Sequence, residues 1–264
     1  MQPNDLEKAL EIATDISLRS GIIIKDNLQF GIKREWKSDQ TPVTAVDKEI
    51  NQLVIEALSS SYPDHSILAE EGSKSNPNSK YTWVCDPLDG TFPFIHGIPI
   101  VTFALALVDN EGNALLGVIY DPISARSYTA IKGQGAWLNA ERISAGNLDS
   151  KTSLKNLSIG VVYWDDNSSF MLPLISKLMS KGVKIFAPNS IAYMDALVAV
   201  GEFGATIFPG KSAHDSAAAS CIVTEAGGVF LSLEGKSQRY DQPCNGHIAA
   251  ANQEIYSQIL QAMN

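Results

Sequence analysis

The period of the apolar residues changes at about residue 64, and that change limits the folds open to this chain. Before it, "NDLEKALEIATDISLRSGIII" repeats Leu6, Leu10, Ala13 and Ile16 at helical spacing, with Asn4 or Asp5 placed to cap the N-terminus. A polar, turn-prone stretch, "KREWKSDQTPVTAVD", follows. "DKEINQLVIEALSS" then restores the stripe through Ile50, Leu53, Val54 and Ala57 and sets Asp47 at or just before a helix start. After residue 64, "HSILAEEG", "YTWVCDP", "IVTFALALVD", "ALLGVIYDP", "RSYTAIKG" and "GAWLN" are short apolar or alternating runs closed by Gly, Pro, Asn and Asp. Such runs read as successive strands, several of them antiparallel. From about residue 153 strands ("LSIGVVY", "VKIFAP", "GATIFPG", "VFLSLEG", "HIAAAN") alternate with helices, one of which, "HDSAAASCIVTEAGG", ends on a glycine stop. The fold expected is an α/β (α+β) layered sandwich of alternating helices and sheets. An N-terminal α+β half over residues 1–150 and a C-terminal α/β half over 151–264 would pack closely on each other.

A chain of 264 residues with 45% hydrophobic side chains can bury a sizeable core. Its net charge of −9 argues against a nucleic-acid backbone or an anionic membrane as partner. Cys85, Cys221 and Cys244 are odd in number, widely spaced and without a CxxC pair, so they suggest neither a zinc site nor a disulfide framework. The start of the chain has no basic and apolar leader pattern, and no stretch approaches about 18 consecutive apolar residues. A cytoplasmic protein is expected.

Acidic residues recur where strands end or helices begin: Asp47, the pair Glu70–Glu71 after "SILA", the pair Asp86 and Asp89 after "TWVC", and Asp215 in "SAHDSAAAS". Each has an ordinary structural role open to it. Asp47 and Asp215 suit helix caps, an Asp before Pro suits a turn, and the second of two adjacent glutamates suits solvent. No basic residue lies among residues 81–98, however, and Lys211 is the only one near Asp215 in sequence. Carboxylates that converge without Lys or Arg raise one another's pKa, and a cation resolves the conflict. Oxygen ligands without His or Cys point to magnesium or manganese rather than zinc.

"AEEG", "DPLDGT" with a Phe three residues on, and the distant "HDSAAASCIVTEAGG" together resemble the inositol monophosphatase family, magnesium-dependent and lithium-sensitive phosphomonoesterases. The likeness runs from "TPVTAVDKEI" through "GVIYDP" and "KGQGAWLN" to the last helix. It implies two to three Mg2+ ions per active site, with Mn2+ as a substitute. Glu70, Asp86 and the carbonyl of Leu88 match one metal site, and Asp86, Asp89 and Asp215 a second, with Glu70 also serving a weaker third cation. Thr91 and Asp47 match the pair that orients and deprotonates the attacking water. The N–H groups of Gly90 and Thr91 would cradle phosphate, Glu71 would stand behind the ligands, and Asn189 and Ser190 would line the alcohol side of the substrate. The resemblance also implies a small phosphorylated metabolite as partner, and a homodimer.

The pattern departs in places. "DGTFPF" stands where members acting on inositol phosphate carry "DGTTNF", and His214 rather than Trp precedes Asp215. Phe208 falls where those members place a sugar-binding glutamate. His214 could meet phosphate or substrate, or pack. His96 could face the site. Lys37 and Asp39 would lie in a loop that helps bind metal or substrate, or would be solvated. Inositol monophosphate is therefore the first substrate expected, with histidinol phosphate, a 3′(2′),5′-bisphosphate nucleotide and fructose 1,6-bisphosphate as alternatives. An aspartyl-phosphate phosphatase would need Asp-x-Asp, not the Asp-x-x-Asp found here. An inactive scaffold member would be expected to have lost some of Glu70, Asp86, Asp89, Asp215 and Thr91.

Overall fold

The computed structural model describes residues 2–38, 41–147, 153–163 and 168–263. Helices α1 (Pro3–Asn27) and α2 (Ala45–Ser61) flank a two-stranded antiparallel ribbon, β1 (Glu35–Trp36) with β2 (Pro42–Val43). A seven-stranded sheet follows: β3 (Ser66–Ala69), β4 (Tyr81–Asp89), β5 (Thr102–Asp109), β6 (Ala114–Asp121), β7 (Arg126–Ile131), β8 (Gly135–Leu138) and β9 (Glu141–Ile143). Its strands lie side by side in chain order; β3 and β4 are parallel and the rest antiparallel. The short helix α3 (Thr91–Ile95) leaves the end of β4. The second half supplies β10 (Ser158–Val161), α4 (Ser168–Ser180), β11 (Lys184–Phe186), α5 (Ile191–Ala199), β12 (Ala205–Phe208), α6 (Ala217–Glu225), β13 (Val229–Leu231), β14 (His247–Ala250) and α7 (Gln253–Met263). Its five strands form a mixed sheet in the order β11-β10-β12-β14-β13.

The elements stack in layers: α1 and α2, the large sheet, α5 and α6, the small sheet, then α4 and α7. Period-2 alternation builds the two cores. On β5, Phe103, Leu105 and Leu107 join the core beneath α1 and α2, while Ala104, Ala106 and Val108 join the core shared with α5, α6 and the small sheet. The small residues on that second face let α6 settle close. A Cβ on Gly117 of β6 would stand 2.5 Å from the Ala218 carbonyl oxygen of α6, a contact only glycine allows. Among the described residues no helix is long and apolar enough to cross a membrane.

Two helix starts differ from the sequence reading. Gln2, not Asn4 or Asp5, caps α1, and Asp5 Oδ2 instead accepts from the Gln2 N–H (2.9 Å). On α2 the cap is Thr44, and Asp47 is the third residue of the helix. The expected stop after α6 is present, with Ala226 closing the helix and Gly227 at φ +85°.

Candidate active site

Residues three apart on a regular strand point to opposite faces, so Asp86 and Asp89 should diverge. They do not, because β4 carries a bulge between them. Asp86 pairs with Ala104 and Asp89 with Thr102, two positions that share one face of β5. Pro87, with no N–H to donate, sits inside that bulge, where strands tolerate proline. Both carboxylates therefore turn towards α5 and α6. Asp215, just before α6, comes to meet them, and one carboxylate oxygen from each of the three lies within 4.8 Å of the others. Asp86 and Asp89 are 3% and 5% exposed and Asp215 is half-buried.

Asp89 is the most firmly held. Its Oδ2 accepts from the hydroxyls of Ser190 (2.5 Å) and Thr102 (2.8 Å) and from the Tyr193 N–H (3.3 Å), and its Oδ1 accepts from the Ile191 N–H (2.9 Å). The first turn of α5 thus cradles this carboxylate. Asp86 Oδ1 accepts from the Leu88 N–H at 3.0 Å. Burial pushes all three carboxyls up. Asp89 reaches about 6 although Ser190 and Thr102 oppose the rise, and Asp86 and Asp215 go well above the usual range with Glu70 adding to the effect of burial. Among the described residues no Lys or Arg forms an ion pair with any of the three.

Glu70 and Glu71, just past the end of β3, are half-buried, and the expectation that the acidic sites converge without Lys or Arg fails for this pair. Lys37, leaving the ribbon strand β1, places its Nζ 2.6 Å from Glu70 and 2.5 Å from Glu71. Burial works against the Lys37 charge, but the two glutamates outweigh it and raise its pKa. The reading of Lys37 as loop solvated in water fails with this. Asp39 lies outside the described residues.

Gly90, at φ +89°, makes the turn from β4 into α3. A Cβ there would meet the Ile100 carbonyl oxygen at 2.7 Å. The turn sets Thr91 so that its hydroxyl lies 3.1 Å from the Leu88 carbonyl and 3.2 Å from Asp47 Oδ1. Asp47 divides its two oxygens. Oδ2 accepts from the Thr44 N–H (2.8 Å) and hydroxyl (2.5 Å) as part of the α2 cap, which leaves Oδ1 for Thr91. The capping and catalytic readings of Asp47 are compatible. Burial raises its pKa, and the Thr44 hydroxyl works the other way.

The residues expected on the substrate side divide between the carboxylate cluster and the core. Ser190 is fully buried and is spent on Asp89, while Asn189 before it is half-buried at φ +60°. Phe208, 2% exposed, packs with Val162, Ile191 and Met194, so the expectation that it lines the substrate is corrected: its strand is paired on both sides and its ring points into a core. His214 is half-buried beside Asp215 (Nε2 to Oδ2, 3.9 Å), and burial lowers its pKa. His96 is exposed, its Nδ1 2.8 Å from the Phe92 carbonyl oxygen and its ring against Phe92.

Two buried groups next to the site escaped the sequence reading. Asp195, on the second turn of α5, and His247, opening β14, are both fully buried and lie 3.0 Å apart. A lone charge within the apolar helix "IAYMDALVA" was the available signal for Asp195. His247 carried none.

The inositol monophosphatase family model matches residues 5–264. The chain is similar to an inositol monophosphatase of Dictyostelium discoideum, 32% identical with 89% of this chain and 88% of the relative covered. It is also similar to the Nus factor SuhB of Pasteurella multocida, 31% identical with coverage of 95% and 94%. Among solved structures, the IMPase of Thermotoga maritima superposes with a TM-score of 0.87 at 26% identity, 97% of each chain being covered. The family is metal-dependent and acts on small phosphorylated substrates. On this evidence the chain belongs to the inositol monophosphatase family, and with it to the phosphoric monoester hydrolases.

Proposed function

We propose that this protein hydrolyses a small phosphate monoester of the inositol monophosphate type with Mg2+ as its cofactor. The observation that carries the reading is the convergence of Asp86, Asp89 and Asp215 within 4.8 Å beside the Thr91–Asp47 contact. The donor set fits a hard divalent cation: buried and half-buried carboxylates with raised pKa values and no Lys or Arg in an ion pair with them among the described residues. Asp86, Asp89 and Asp215 would hold one cation, and Glu70, Asp86 and the Leu88 carbonyl another, once Lys37 yields Glu70. Bound there, divalent cations supply charge neutralisation and Lewis acidity for phosphoryl transfer.

The chain's own residues do the rest. The Thr91 hydroxyl, shared between the Leu88 carbonyl and Asp47, is placed to orient a water for in-line attack on phosphorus. Asp47 Oδ1 is placed to receive the proton, and its raised pKa makes it a better base than a solvated aspartate. Gly90 and Thr91 open α3, and their backbone N–H groups would cradle the phosphate. With Phe208 in the core, the sugar-binding glutamate of the inositol-specific members has no counterpart at that position, and Asn189 and His214 are the remaining candidates for contact with the alcohol.

A panel of inositol 1-phosphate, histidinol phosphate, fructose 1,6-bisphosphate and adenosine 3′,5′-bisphosphate, compared by kcat/KM with Mg2+ and with chelator, tests this reading. Inositol 1-phosphate should be turned over best, and chelation should abolish turnover of every ester. Undiminished hydrolysis in chelator would sink the metal reading. Preference for another ester by tenfold or more would move the substrate assignment and leave the chemistry standing.

A further inference from the structure

Behind Asp215 runs a buried chain of polar side chains for which the proposed chemistry has no use. The Thr206 hydroxyl donates to Asp195 Oδ1, Asp195 Oδ2 lies 3.0 Å from His247 Nε2, and His247 Nδ1 lies 2.9 Å from the Ser216 hydroxyl. All four residues are fully buried. The carboxylate of Asp195 fixes Nε2 as the protonated nitrogen, so a neutral ring offers Nδ1 to the Ser216 hydroxyl as acceptor. Phe230 stacks on the imidazole with centroids 4.3 Å apart, and Phe208 packs against it at 5.2 Å. The ring has little freedom to turn.

Ser, His and Asp in this order are the members of a hydrolytic triad. Here the serine has no exposed surface and no ester can reach it, so the geometry is that of a brace. Ser216 is the cap residue of α6, yet its side chain makes no capping bond and goes to His247 instead. The other end of the brace, Asp195, stands one turn along α5 from Ile191, whose N–H holds Asp89. Helix α5 therefore fixes Asp89 with its first turn and reaches the neighbour of Asp215 with its second. Two carboxylates that are 126 positions apart in the chain are referred to one rigid element.

We infer that Asp195, His247 and Ser216 are positioning residues that hold Asp215 at the right distance from Asp86 and Asp89 to bind a divalent cation. The inference rests on the metal reading proposed above. Groups that orient a metal ligand without touching the metal typically cost about 10- to 100-fold in affinity when removed. Ser216→Ala and His247→Gln should each weaken Mn2+ binding, read directly by titration calorimetry, by about tenfold or more. The double variant should bind no more weakly than His247→Gln alone, since both changes break one chain. In turnover, the half-saturating Mg2+ concentration should rise while KM for the phosphate ester at saturating Mg2+ stays within about twofold, a split that general loosening of the fold would not give.

Ser216→Ala removes a single oxygen and decides the matter should His247→Gln fail to fold. Asp89→Asn is the control. If Asp89→Asn loses Mn2+ affinity and Ser216→Ala keeps it within twofold, the positioning role is overturned and the metal reading survives. If Asp89→Asn also binds Mn2+ like the unaltered protein, the metal reading itself has failed.

Discussion

Removing divalent cations should leave a protein that one of its own active-site aspartates makes less stable as the pH rises. Burial pushes the Asp89 carboxyl from an ordinary 3.8 up to about 6, even though Ser190 and Thr102 donate to it. An acid with a raised pKa in the folded state binds more protons folded than unfolded. Its contribution is neutral below 3.8, turns unfavourable as pH rises, and is complete above about 6. At about 1.36 kcal/mol per pKa unit, the penalty from Asp89 alone is roughly 3 kcal/mol at neutral pH. An unfolding entropy of about 2.1 cal/mol/K per residue converts that to a fall in melting temperature of roughly 5 °C. His65 and His214, lowered by burial, act with the opposite sign, so the comparison to make is with Asp89→Asn. Calorimetric melts in chelator from pH 4.5 to 7.5 should show Asp89→Asn gaining on the unaltered protein by about 5 °C across that interval. Mg2+ at about a hundred times its dissociation constant should return roughly 2.7 kcal/mol to the unaltered protein at pH 7.5 and little at pH 4.5. Parallel melting curves for the two proteins across the whole interval would refute the electrostatic account of the cluster.

Three further outcomes are expected. Thr91→Ala should lower kcat by about 100-fold or more with the half-saturating Mg2+ concentration within twofold, because Thr91 contacts the Asp47 and Leu88 oxygens and is not among the carboxylates; a large rise in the Mg2+ requirement would give it a different role. Phe208→Glu should destabilise the protein by about 3 kcal/mol or more in urea denaturation, since a carboxylate would replace a ring that is 2% exposed; a soluble variant with unchanged stability and altered substrate preference would restore Phe208 to the substrate wall. Gly117→Ala should cost about 1–3 kcal/mol, with the methyl group forced against the Ala218 carbonyl oxygen 2.5 Å away, and an unchanged melting temperature would mean that α6 shifts freely on the sheet.

Local pattern made most of the architecture legible. Alternation over residues 102–109 belongs to a strand between two cores, and Asp89 and Asp215 sit at element ends because their spacing relative to the apolar runs is a short-range property, whereas Asp86 lies within β4, which runs on to Asp89. What pairs across the fold was not legible. Lys37 reaches Glu70 over 33 positions, and neither segment carries a mark of the other. Phe208 is assigned to the substrate side by counting along the chain, and Ser190 by resemblance. That fixes a residue's position, whereas its direction depends on the strand's register and on which layer covers that face. Asp89 takes the Ser190 hydroxyl, and the pairing of β12 with β10 and β14 turns Phe208 inward. The bulge in β4 was likewise invisible, although it alone brings Asp86 and Asp89 to one side.

The two oxygens of Asp47 have a consequence for anyone who tries to dissect this enzyme by substitution. One oxygen closes the first turn of α2, the other faces Thr91, and the side chain has no surface exposed to water. The proposed base is thus also a rivet in the scaffold, and no change at residue 47 can dim the chemistry without loosening the helix that carries it. Asp47→Asn would report a mixture of the two. Thr44→Ser, which keeps the hydroxyl and drops the methyl, followed by Thr44→Ala, which drops both, would vary the structural half of the bond set while leaving the oxygen that faces Thr91 in place.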